Sequence, residues 1–321
     1  MKKLGLMVLA ALMGAGAWAG EVTATKVVAR QRYPWNGLVD IEVTLKGEER
    51  DLTIWDCVFA ATNKETQAEI PVLHVDSVGS PTGSGTTWTR RFVWNATADV
   101  GAMKIGKVAF FVDTKEKGVQ LWADGPYWSE YNVGATKPED YGYFFWWGDT
   151  VGYKRNAAGN GWVSVKDGST FSFSTGNCPT YGENKSELQS AGYIDASGSL
   201  TAAHDAATVH LGAPWRMPTD DEFAALIRNC DTTWTWRNGV YGRLVKGRGA
   251  YASKSIFLPA AGYGDDSDLY NTSIGYYWSS TPYSGSSDSA WSLGFHSDNF
   301  YRYDNRRYYG QSVRPLRGFA K

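Results

Sequence analysis

Residues 291–296 read Trp291-Ser292-Leu293-Gly294-Phe295-His296. Apolar and small polar residues alternate with a period of two, the pattern of a β-strand with one face on a core. The reading places Trp291, Leu293 and Phe295 inward and Ser292, Gly294 and His296 outward. Upstream lies Tyr283-Ser284-Gly285-Ser286-Ser287-Asp288-Ser289. Downstream lies Ser297-Asp298-Asn299-Phe300-Tyr301-Arg302-Tyr303-Asp304-Asn305-Arg306-Arg307-Tyr308-Tyr309. Across 283–309 the outward positions are nearly all Tyr, Ser, Asp, Asn, Gly or His. Tyr brings large contact area at low entropy cost, and Ser, Gly and Asn bring adaptable hydrogen bonds, as in an antibody paratope. The candidate ligand-binding residues are therefore Tyr283, Ser287, Asp288, Ser292, Gly294, His296, Ser297, Asp298, Tyr301, Tyr303, Asp304, Asn305, Tyr308 and Tyr309.

Moving toward the N-terminus, Pro218 precedes Thr219-Asp220-Asp221-Glu222, and Phe223, Leu226 and Ile227 follow at helical spacing. Thr219 as N-cap and Glu222 three residues on form a capping box, and the acidic first turn suits the helix dipole. From about residue 119 onward the rest is rich in Gly and aromatics, with short strands and long loops. Residues 20–118 differ. They carry short alternating runs such as Val39-Asp40-Ile41-Glu42-Val43-Thr44-Leu45, separated by turn signals such as Trp35-Asn36-Gly37. That spacing predicts an all-β sandwich domain. His74, between Leu73 and Val75, reads as a strand histidine.

The chain opens with Lys2-Lys3, an apolar run from Leu4 to about Met13, and Ala17-Trp18-Ala19. This reads as a signal peptide over 1–19, cleaved after Ala19, and so as a secreted or cell-surface protein. The apolar run is shorter than the roughly 20 residues a membrane span needs, so no transmembrane segment is expected. With 32 basic and 33 acidic residues, the chain lacks the basic excess of a nucleic-acid binder. Export permits disulfides. Cys178 and Cys230 share the C-terminal domain and are the expected pair, with Cys57 left as a buried thiol in an apolar run; an odd Cys can also pair between chains.

A resemblance emerges from several motifs together. They are Trp215-Arg216-Met217-Pro218-Thr219, Ser255-Ile256-Phe257-Leu258-Pro259-Ala260-Ala261-Gly262-Tyr263, Tyr277-Trp278-Ser279-Ser280-Thr281 and Gly310-Gln311-Ser312-Val313-Arg314-Pro315-Leu316-Arg317. The series, over about 121–321, resembles the Fibrobacter succinogenes major paralogous domain, on the formylglycine-generating-enzyme-like branch of the C-type lectin fold. It implies an α+β C-type lectin-like domain over 119–321, behind the sandwich. With the 283–309 alphabet added, the chain also looks like the variable protein of a diversity-generating retroelement. In that reading Trp278, Trp291, Leu293, Phe295, Phe300, Arg307 and Gly310 stay fixed.

Catalysis is disfavoured. The related formylglycine-generating enzymes use a late cysteine pair, and this chain has no Cys after Cys230. His74, His204, His210 and His296 show no metal-triad spacing, and calcium-lectin loop motifs are absent. Asp265, Asp266 and Asp268 could hold Ca²⁺, but read better as a solvated acidic turn. The expectation is a ligand-binding protein without cofactor or metal, whose partner is a protein or a glycan at a surface. A structural, adhesin-like component is the main alternative, and an enzyme with His204, Asp205, His210 or His296 at work is a third.

Overall fold

Val39, Ile41, Val43 and Leu45 are all buried in the computed structural model, and the Asp40, Glu42 and Thr44 between them are not. The structure describes residues 22–34, 36–47, 52, 55–101 and 105–318. The expected signal peptide lies outside them. The chain divides into two compact units, one running to Lys115 and one beginning at Glu116.

The first unit contains β1 (Thr23–Gln31), β2 (Leu38–Lys46), β3 (Trp55–Asn63), β4 (Glu69–Ile70), β5 (Val75–Ser84), β6 (Thr87–Asn95), helix α1 (Ala96–Val100) and β7 (Val108–Glu116). An antiparallel sheet of order β1-β2-β6-β5 faces a sheet of order β4-β3-β7. Phe92 meets Phe59 edge-on at 4.9 Å, and Trp94 meets Phe110 at 5.5 Å, each pair bridging the two sheets. Each buried large side chain contributes roughly 1.5–3 kcal/mol. His74 is not in a strand: it precedes β5, and its Nδ1 lies 2.5 Å from Asp99 Oδ1.

The second unit begins with β8 (Val119–Gln120), β9 (Tyr127–Trp128), β10 (Phe144–Phe145), β11 (Tyr153–Arg155), β12 (Trp162–Ser164) and β13 (Thr170–Phe171). Helices α2 (Lys185–Ser190), α3 (Ala206–Leu211) and α4 (Asp220–Asn229) follow. Then come β14 (Asp231–Arg237), β15 (Val240–Lys246), β16 (Ser255–Pro259), β17 (Tyr263–Asp265), β18 (Asp268–Tyr270), β19 (Gly275–Pro282), β20 (Ser289–Phe295), β21 (Phe300–Arg306), β22 (Gln311–Ser312) and β23 (Leu316–Arg317). The central sheet has eight strands in the order β13-β12-β11-β10-β22-β19-β20-β21. Three smaller sheets, β14-β15-β16, β17-β18 and β23-β9-β8, accompany it.

These proportions correct the expected α+β C-type lectin-like class: the unit is a β-rich fold. Among its described residues there are three α-helices, of 6, 6 and 10 residues. Isolated helices this short are marginal, and α2 and α4 each begin at a full capping box, Asn184/Glu187 and Thr219/Glu222. Elsewhere the Gly-rich sequence turns too often for helices to extend.

The central sheet is covered on both faces. Leu293, Phe295 and Tyr277 pack with Phe223 and Leu226 of α4 and with Val245, Ile256 and Leu258 of the β14-β15-β16 sheet. On the other face Trp278 and Ala290 join Phe145, Trp147, Leu188 of α2 and Ala206 of α3. Two arginines pin the layers from inside. Arg307 donates to the carbonyls of Ser289, Thr180 and Glu183 at 2.7–2.9 Å. Arg314 donates to Asn132 Oδ1 and to the carbonyls of Ser129, Glu130 and Phe257 at 2.8–3.0 Å. Burial pushes both guanidinium groups down to about 10, so they remain charged at neutral pH. Carbonyl acceptors meet the need that any buried cation has for partners.

The expected Cys178–Cys230 disulfide is not present. Cys230 caps the C-terminus of α4 and packs beside Leu226, Val245 and Ile256. Cys178 Sγ instead sits 3.3 Å from Thr180 Oγ1. Both are buried thiols held in separate surroundings, each pushed up to about 11 by burial.

Candidate functional site: a tyrosine face on the central sheet

Strands β19, β20 and β21 form an antiparallel meander in which Tyr276, Gly294 and Tyr301 stand in register, as do Trp278, Ser292 and Tyr303. Gly294 has no side chain, so Tyr276 and Tyr301 close over it from either side. From there the aromatic surface spreads. Tyr301 meets Tyr303 at 6.0 Å and His296 at 6.3 Å. Tyr276 meets Tyr263 at 5.8 Å, and Tyr263 meets Tyr270 at 5.7 Å and Tyr309 at 4.7 Å. Tyr309 meets Tyr308 at 4.7 Å, and Tyr308 meets Tyr181 at 5.4 Å.

Polar groups border these rings. The Tyr181 hydroxyl donates to Asp288 Oδ2 at 3.3 Å, and Arg306 Nη1 lies 3.5 Å from the Tyr308 hydroxyl. Burial pushes the Tyr276 phenol up to about 12 and raises those of Tyr263, Tyr301 and Tyr309. Tyr263, Tyr276, Tyr301 and Tyr309 are therefore neutral phenols at physiological pH, each able to donate and to accept. Its backbone is firmly placed. Arg243 of β15 is buried and donates to the carbonyls of His296, Ser297 and Asn299, fixing the turn between β20 and β21.

The predicted residues divide. His296, Tyr301, Tyr303 and Tyr309 belong to the face, and Ser297 and Asp298 are exposed on the adjoining turn. Ser292, Gly294 and Tyr308 are buried, contrary to the outward reading. The Ser292 hydroxyl donates to the Tyr303 carbonyl at 3.0 Å and receives Asn305 Nδ2 at 3.0 Å, so it stitches β20 to β21. Tyr283 packs against Trp291 at 4.9 Å, and Asp304 stands opposite Trp291; both lie off the tyrosine face. Ser287 and Asp288 lie in the turn before β20 and are half-buried. Sequence reasoning missed Tyr181, Tyr263, Tyr270 and Tyr276. The signal for Tyr276 was its position two residues before the buried Trp278, where strand alternation puts it on the same face.

The titratable candidates have structural partners. Asp205 caps α3, accepting from Thr208 N at 2.9 Å and Met217 N at 2.8 Å. His204 Nδ1 lies 3.4 Å from the Gly148 carbonyl, and His210 Nε2 lies 3.1 Å from the Thr150 carbonyl. Arg216 forms a two-pronged ion pair with Glu222, at 2.5 and 2.7 Å. Among the described residues there is no group of three or more His, Cys, Asp or Glu placed to hold a metal ion, the Asp265-Asp268 turn included.

A family model described as "Domain of unknown function (DUF8237)" matches residues 247–316, the segment that carries β16 to β22. No curated protein and no solved structure matches the chain.

Proposed function

We propose that this chain is a secreted or cell-surface ligand-binding protein that holds its ligand on the tyrosine face of β19–β21. One observation carries the reading. Seven tyrosines, Tyr181, Tyr263, Tyr270, Tyr276, Tyr301, Tyr303 and Tyr309, cluster beside a sheet whose backbone is locked from behind, with the buried Tyr308 packed between Tyr181 and Tyr309. Rigid rings lose little entropy on binding, and a fixed backbone lowers the ordering cost further. The partner is a surface protein or glycan; the near balance of charge speaks against nucleic acid. Ser297, Asp298 and Tyr303 are the positions that can change without repacking, and retroelement-type diversification would act there. A near-identical repeat differing only at adenines, beside a reverse transcriptase gene, is the genomic test of that part. The binding reading is tested by screening the chain against surface proteins and glycans, with Tyr301→Ala/Tyr303→Ala as the matched control.

A further inference from the structure

The hairpin β14–β15 carries three aromatic side chains on one face. Trp234 and Tyr241 are parallel within 9° at 5.7 Å, and Trp236 meets Tyr241 at 4.6 Å. Trp236 and Tyr241 are 58% and 49% exposed, unusual for rings of this size. Between this hairpin and the 296–299 turn lies an open groove of about 560 Å³, lined by Trp234, Tyr241, Ser273, Ile274, His296 and Ser297. A groove of this volume is in the range of small-ligand sites.

We infer that this groove binds a ring of a neutral saccharide. A pyranose ring has an apolar C–H face and a girdle of hydroxyls. The electron-rich face of Trp or Tyr attracts such C–H groups, and Tyr241, backed by both tryptophans, supplies a wall for stacking. The hydroxyls need partners that both donate and accept. Ser273 and Ser297 can do so, and their side chains hydrogen-bond no other described residue. The lining carries no Lys, Arg, Asp or Glu, and the nearest buried cation, Arg243, is already engaged by three carbonyls. An acidic sugar would find no free counter-charge among the lining residues. A proline-rich peptide, another occupant of aromatic grooves, lacks an N–H at each proline and so brings fewer donors to the two serines than a saccharide's hydroxyls do. His296 contributes its ring, because both nitrogens face its own turn, at Asp298 N and Asn299 Nδ2. The groove adjoins the tyrosine face at His296 but does not require that face to bind anything.

Ligand-observed saturation-transfer NMR on the full chain tests this. The probes are tetrasaccharides of β-1,4-glucose, β-1,4-xylose, β-1,4-mannose and α-1,4-glucose, with an α-1,4-galacturonate tetramer and a proline-rich peptide alongside. At least one neutral oligosaccharide should bind saturably below about 10 mM. Tyr241→Ala should weaken it by about tenfold or more, and Ser297→Trp, which fills the groove from an exposed turn, should abolish it. Binding that survives both groove variants but is lost in Tyr301→Ala/Tyr303→Ala would put the saccharide on the tyrosine face instead and would overturn the inference. The inference is overturned if no neutral probe saturates, if the galacturonate or the peptide binds at least as tightly, or if both groove variants bind like the parent.

Discussion

Tyr301 stands directly across from Gly294 on the neighbouring strand, and its ring occupies the edge of the space a side chain at 294 would fill. A β-carbon there would lie 3.3 Å from Tyr301 Cε2. Tyr301 is at the surface and can swing by the few tenths of an ångström this requires. Gly275, one turn of the pleat away on β19, is the contrasting case: a β-carbon there would lie 2.0 Å from Cζ of Phe295, which is fully buried. Gly294→Ala should therefore cost under about 1 kcal/mol in urea unfolding, and Gly275→Ala about 3 kcal/mol or more, as overpacking of a filled core does. Equal costs would show that Tyr301 is as fixed as Phe295.

Arg314 closes the second unit from inside. Its removal takes a donor from Asn132 Oδ1 and from the carbonyls of Ser129, Glu130 and Phe257, and a buried polar group that loses its partner costs about 1–3 kcal/mol. Arg314→Met should destabilise by about 3–5 kcal/mol. Arg314→Lys should recover little, because an ammonium cannot reproduce the planar fork. Urea titrations of both variants check this.

Asp149 carries a pH prediction. It is buried, and burial pushes its carboxyl from 3.8 to about 6 despite the amides of Val151 and Gly152, which donate to it at 2.9 and 3.0 Å. A carboxyl raised in the folded state holds a proton that the unfolded chain releases. Stability therefore falls as pH rises from about 4 to about 6, by up to about 3 kcal/mol. Asp149→Asn removes that slope. The stability difference between parent and variant, measured by urea unfolding near pH 4 and near pH 7, should shift by about 2–3 kcal/mol in favour of the variant at the higher pH. A constant difference would contradict it.

What the sequence disclosed and what it hid have physical reasons. The capping box at Thr219 and Glu222 is local, and it formed as read. Leu293 and Phe295 alternate inward as read, while Trp291 is half-buried under Arg302, 5.4 Å from its ring. The error at Ser292 and Gly294 came from assuming one covered face. β20 has cores on both sides, and small residues serve the second one, so alternation of size mimicked alternation of exposure. The Asn238-Gly239 pair, with φ of 44° and 91°, is a strong local hairpin signal and could have announced β14–β15. No local pattern could bring Tyr181 and Tyr263 to Tyr308 and Tyr309, because those contacts are made only by the tertiary fold. The α+β class came with the resemblance to the C-type lectin fold, whereas the residues themselves announced one well-capped helix, which formed, in a unit that is otherwise β-rich.

The proposed ligand surface is the tyrosine face. The most direct measurement is the affinity of Tyr301→Ala/Tyr303→Ala, relative to the parent chain, for whichever surface protein or glycan the screen returns, with circular dichroism confirming that both are folded. A loss of about tenfold or more is expected, with the fold unchanged. Affinity equal to the parent's in the folded double variant would contradict it.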